Sequence, residues 1–210
     1  MSSLDRLTKI DVGISADECV QDEILDEFVQ SLEEVHLRLE VERRPATVFA
    51  GIEWFLPTLV VLFLSRKLFD SLMTEAGKDI YKVVKEAVLR LLGRTSEQDA
   101  EVRAAVIVSQ ASPKKSAGRS PTVLSIWAIL DDGSRVTFIF PADLKLELHE
   151  AAVEGMLALL KEHYMGACPP PKLGIRTEHA FARWGTLPLI IDHGAGTWNA
   201  LIDSDTRRDV

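Results

Sequence analysis

The chain has 210 residues, 47% of them hydrophobic and 27% charged, too apolar for a disordered chain and too charged for a polytopic membrane protein. Its net charge of −8 is concentrated in Met1–Pro45, where twelve acidic residues stand against five basic ones, which argues against nucleic-acid binding by bulk charge. Two cysteines, Cys19 and Cys168, lack Cys-x-x-Cys spacing and suit a reducing compartment better than a disulfide-stapled secreted domain.

No apolar run with a cleavage-like site follows Met1, so no conventional signal peptide is expected. Leu7–Ile14 alternates at Ile10, Val12 and Ile14 as a half-buried strand does, and Ser15-Ala16-Asp17-Glu18 matches a capping box that would open a helix. Val20, Ile24, Phe28 and Leu32 follow at helical spacing. Val35, Leu37, Leu39 and Val41 then alternate again and close a β-α-β unit at Arg43-Arg44-Pro45. Its outward face is dense with carboxylates.

Ala46–Ser65 is almost wholly apolar and about as long as a bilayer requires, with Arg43 and Arg44 before it and Arg66 and Lys67 after it. Glu53 and Pro57 interrupt it. Its eleven Val, Ile, Leu and Phe residues favour insertion by about 3 to 6 kcal/mol, and one central charge opposes it by about 2.5 to 3.5. Proline adds a further penalty, so the sum lies near zero. In lipid, Glu53 faces a partner helix, a pore or a polar cavity, or else sits at a helix end near the headgroups. Trp54 is then an interfacial anchor. In a soluble core, Glu53 needs a basic partner or a raised pKa, and Trp54 is a core residue. Arg66, Lys67, Lys78, Lys82 and Lys85 outnumber Arg38, Arg43 and Arg44, which places the C-terminal side in the cytoplasm.

Lys67–Leu92 carries Phe69, Leu72, Met73, Ala76, Ile80, Val83, Val84, Ala87, Val88 and Leu91 at amphipathic helix spacing, with Gly93 as its stop. Glu97–Glu101 reads as a charged connection and Ala104–Ser109 as a short β-branched strand. Ser112–Pro121 is a loop whose Lys114, Lys115 and Arg119 read as solvated. Val123–Leu130 and Arg135–Phe140 form a hairpin turning at Asp131-Asp132-Gly133-Ser134. Ala142–Tyr164 is a helix stopped by Cys168-Pro-Pro-Pro171, and Thr186–Asp192 and Thr197–Asp203 are strands joined at His193-Gly194-Ala195-Gly196. The expected class is α+β: an acidic β-α-β unit over 1–45, an apolar plus an amphipathic helix over 46–93, and an α+β region over 102–204.

No chemistry-bearing motif survives inspection. His193–Gly196 lacks the remaining glycine of a dinucleotide fingerprint and reads as a hairpin turn. His149-Glu150 begins a zinc motif, but Val153 stands where the second histidine belongs, and His163 is fourteen residues away. There is no Gly-x-Ser-x-Gly elbow. No catalytic, cofactor-binding or metal-binding residue is assigned, and no cofactor is expected.

Glu53-Trp54-Phe55-Leu56-Pro57-Thr58, then Phe69, then Glu75-Ala-Gly77-Lys78-Asp79-Ile-Tyr81-Lys-Val-Val-Lys85 together resemble a pattern in small uncharacterised bacterial proteins. The wider layout is similar to accessory components encoded beside effectors in bacterial conflict systems. That resemblance implies a non-enzymatic protein that couples membranes or effectors, with Glu53, Trp54, Pro57, Lys78, Asp79 and Tyr81 as candidate functional residues. The expected function is a membrane-associated accessory or effector protein on the cytoplasmic face of the inner membrane. The alternative is a soluble α+β ligand-binding or protein-interaction module with 46–65 as its buried core helix. The expected partners are a membrane, a partner protein or a second copy of the chain, and not nucleic acid.

Overall fold

A computed structural model describes residues 10–44, 58–72, 77–109, 122–131, 133, 135–141, 144–166, 186–192 and 197–200, with backbone alone at 58, 97–109, 122–123, 186–187 and 200. Its elements in order are β1 (Val12–Asp17), α1 (Asp22–Glu33), β2 (Leu39–Arg44), β3 (Thr58–Leu64), α2 (Arg66–Leu72) and α3 (Gly77–Ser109). They continue with β4 (Thr122–Ile129), β5 (Arg135–Pro141), α4 (Leu146–Tyr164), β6 (Thr186–Ile191) and β7 (Trp198–Ala200). The class is α+β, and the N-terminal β-α-β unit is β1-α1-β2.

All seven strands form one mixed sheet in the order β2-β1-β3-β4-β5-β6-β7. Its parallel neighbours are β1 with β2, β3 with β4, and β5 with β6, and each such pair runs antiparallel to the next. All three regions of the sequence contribute strands to it.

Strand alternation defines a single core face. Val12 lies opposite Leu64, Ile14 opposite Leu62 and Ala16 opposite Val60. Leu62 pairs Ile126, which pairs Phe138, which pairs Leu189, and all of these side chains are buried. The helices bury Ile24, Leu25, Phe28 and Leu32 of α1, Phe69 of α2, Val84, Val88 and Leu91 of α3 and Met156 and Leu160 of α4 in the same cluster. α3 packs against α1, α2 and α4. At the far edge Trp198 sets its ring edge-on to Phe138 and Phe140, at 5.0 and 5.1 Å, and its Nε1–H donates to the Ala152 carbonyl at 3.2 Å.

The structure corrects the apolar helix where it can be seen. Residues 58–64 are a strand, hydrogen-bonded to β1 on one side and β4 on the other. Val60, Leu62 and Leu64 are buried toward the helices, while Phe63 is buried on the opposite face. A central strand with one side under the helices and Phe63 packed against Trp127 on the other can be apolar on both sides, so a short apolar run fits it as well as a buried helix. Pairing with β1 on one side and β4 on the other decides for the strand, which the β-branched and aromatic residues of Thr-Leu-Val-Val-Leu-Phe-Leu then suit. Ala46–Pro57, with Glu53, Trp54 and Pro57, lies outside the described residues. No helix among the described residues is long and apolar enough to cross a membrane.

Other boundaries differ as well. Ser15 sits within β1, paired with Glu42 and Val61, so the capping box opens no helix. α1 starts instead at Asp22, with Asp22 and Glu23 in its first turn, where acids favour the helix dipole. The amphipathic stretch divides into α2 and α3, and α3 runs past Gly93 to Ser109 through the expected connection and strand. Glu97–Ala105 is rich in strong helix formers, and extending an existing helix adds one backbone bond per residue without a new nucleus.

Candidate functional site

The first turn of α3 lies beside the last turn of α4. The two helices run antiparallel, since Lys85, one turn beyond Tyr81, reaches Glu150 at 2.9 Å and Glu154 at 3.4 Å, earlier in α4 than the Lys161 that approaches Tyr81. The hydrogen bond to Glu150 is the first cause that raises the Lys85 ammonium above its ordinary pKa. Gly77 opens α3 hard against the end of α2, where any side chain would overlap the Leu72 backbone.

Between these ends lies a groove of about 490 Å³ lined by Leu72, Gly77, Lys78, Tyr81, Ala158, Lys161, Glu162 and Met165. Its size is that of a small-molecule site. Met165 is 58% exposed, one of the few large apolar side chains so placed among the described residues. The Lys161 Nζ stands 6.0 Å from the centre of the Tyr81 ring, at the outer limit of a cation–π contact. Burial, then Glu154, pushes the Tyr81 phenol above its ordinary pKa, so the hydroxyl remains a donor at neutral pH.

Among the described residues, neither Lys78 nor Lys161 has an ion-pair partner, whereas Arg43, Arg66, Lys67, Lys82, Lys85 and Arg90 all do. The structure therefore brings two of the sequence candidates, Lys78 and Tyr81, into one groove with Lys161. Asp79 is exposed and does not line it.

A second polar cluster lies where β3 and β4 both end. The buried Asp11 accepts the Arg38 N–H through Oδ2 at 2.8 Å and holds Oδ1 3.6 Å from Lys67 Nζ. Arg66 pairs with Asp131 at 2.5 Å, and the Asp131 N–H donates to His163 Nε2 at 3.2 Å. The Tyr164 hydroxyl donates to the Ile129 carbonyl at 2.7 Å. These groups tie α2 and α4 to the strand ends, although the buried Asp11 Oδ1 has the Lys67 ammonium at 3.6 Å and no hydrogen bond.

His149 and His163 are not brought together, for the helix between them rises about 21 Å. The ring of His149 donates through Nε2 to the Leu144 carbonyl at 3.1 Å, and burial lowers its pKa. His193 and Cys168 lie outside the described residues, and no group of three metal-binding side chains occurs among those described.

Fold and site together define a sheet with its helices layered against one core face and a small amphipathic groove between two helix ends. No family model, curated protein or solved structure matches the chain.

Proposed function

We propose that this protein is a non-enzymatic binding module whose groove between α3 and α4 captures a partner molecule. The observation that carries the proposal is the lining itself, which combines the apolar Leu72, Ala158 and Met165 with Lys78 and Lys161. A few polar groups set around an apolar floor is the usual composition of a recognition site. The placing of Thr58–Leu64 at the sheet centre supports this over a full transmembrane span.

A second reading, attachment to the cytoplasmic face of a membrane, rests on Ala46–Pro57 and its Phe49, Ile52, Trp54, Phe55 and Leu56. The two readings separate when the full chain is run on a sizing column without detergent and then mixed with vesicles of phosphatidylethanolamine and phosphatidylglycerol. The binding module elutes as one sharp species and stays at the bottom of a flotation gradient. Carbonate-resistant flotation would replace it with the membrane reading.

A further inference from the structure

Resting on that reading, we infer that the groove takes a small, singly charged anionic amphiphile: a carboxylate head held by Lys78 and Lys161, with an apolar chain lying on Leu72, Ala158 and Met165. Scale comes first. The groove measures about 490 Å³, within the range of about 300 to 1,000 Å³ found for small-molecule sites. The occupant is therefore a small molecule.

Charge comes second. In a chain of net charge −8, six of the cations among the described residues pair with a carboxylate, while the two lysines that line this one groove do not. Two ammonium groups on one small groove repel each other, and an anion between them turns that repulsion into attraction. Tyr81 adds a protonated hydroxyl, and the first turn of α3 adds the positive end of the helix dipole.

Glu162 sets the limit. Its carboxylate belongs to the same lining and opposes a second negative charge, so a carboxylate suits the site better than a nucleotide or a polyphosphate.

The test uses the full chain with its methionine methyl groups labelled for NMR, the Met165 signal being assigned through Met165→Leu. Decanoate, decanol and decylammonium are titrated below their micelle concentrations. Decanoate is expected to shift the Met165 methyl saturably and one to one. Binding should weaken at least about tenfold in K78M/K161M, the loss of a charge-assisted contact, with the urea midpoint unchanged. Decanol binding as tightly as decanoate would overturn the anionic class while leaving the groove as the binding site. A Met165 methyl that responds to none of the three would overturn both the ligand class and the groove.

Discussion

Gly13 of β1 lies directly across the ladder from Phe63 of β3, and a methyl group on Gly13 would come within 3.3 Å of the Phe63 Cβ and 3.2 Å of the Ile10 Cδ1. Phe63 in turn stands 4.4 Å from Trp127, over which Arg135 sits at 4.2 Å. The absent side chain thus makes room for a row of rings on the face of the sheet opposite the helices. Gly13→Val is expected to displace Phe63 and cost about 1 to 3 kcal/mol, the range for overpacking. Urea unfolding would show the loss, and the near-ultraviolet dichroism of the tryptophans would change with it. An unchanged spectrum and midpoint would mean that the row does not depend on the glycine.

Leu62 has no exposed surface and lies at the centre of β3. Leu62→Ala is expected to cost about 2 to 5 kcal/mol. In hydrogen exchange, Val60–Leu64 should be among the most protected segments, being bonded to β1 and β4 together. Rapid exchange there, or a midpoint that ignores the substitution, would remove this segment from the core.

Tyr164→Phe deletes the hydroxyl that donates to Ile129 and leaves that carbonyl short of a partner, at a cost of about 1 to 2 kcal/mol. Burial, then Asp131, pushes this phenol far above its ordinary value. The unfolded chain releases the proton near pH 10 while the folded chain keeps it, so the contribution is present below pH about 10 and is lost as pH rises further. Urea midpoints at pH 8, 9.5 and 10.5 should fall more steeply for the native chain than for the variant. Tyr81, shifted the same way, leaves a residual slope in both.

His149 gives the opposite limb. Burial lowers its pKa, so the fold holds the neutral ring while the unfolded chain takes up a proton below pH about 6.5. Stability from this group is present above that value and is lost as pH falls through it. His149→Gln, which can still donate to Leu144, should shrink the drop in urea midpoint between pH 7.5 and pH 5.5. An identical drop in both proteins would assign the acid limb to other groups.

The groove was half legible. The pattern around Lys78 and Tyr81 placed both on one helix, three residues apart and therefore on one face. Ala158, Lys161, Glu162 and Met165 recur at i, i+3, i+4 and i+7 and so mark one face of α4. Nothing local says that this face meets the start of α3, because that meeting depends on two antiparallel helices separated in the chain by a hairpin. The cluster of Asp11, Arg66, Lys67, Asp131, His163 and Tyr164 was invisible for the same reason.

Sequence alone determined the β-α-β start, the β4–β5 hairpin and the helix before Tyr164, because alternation, turn residues and helical spacing are local signals that tertiary packing did not override. It also determined the acidic balance of the N-terminal region. Only the tertiary structure decided that Thr58–Leu64 is a strand. A seven-residue apolar run satisfies a buried helix and a central strand equally, and its neighbours β1 and β4, which offer hydrogen bonds on both sides, resolve the choice.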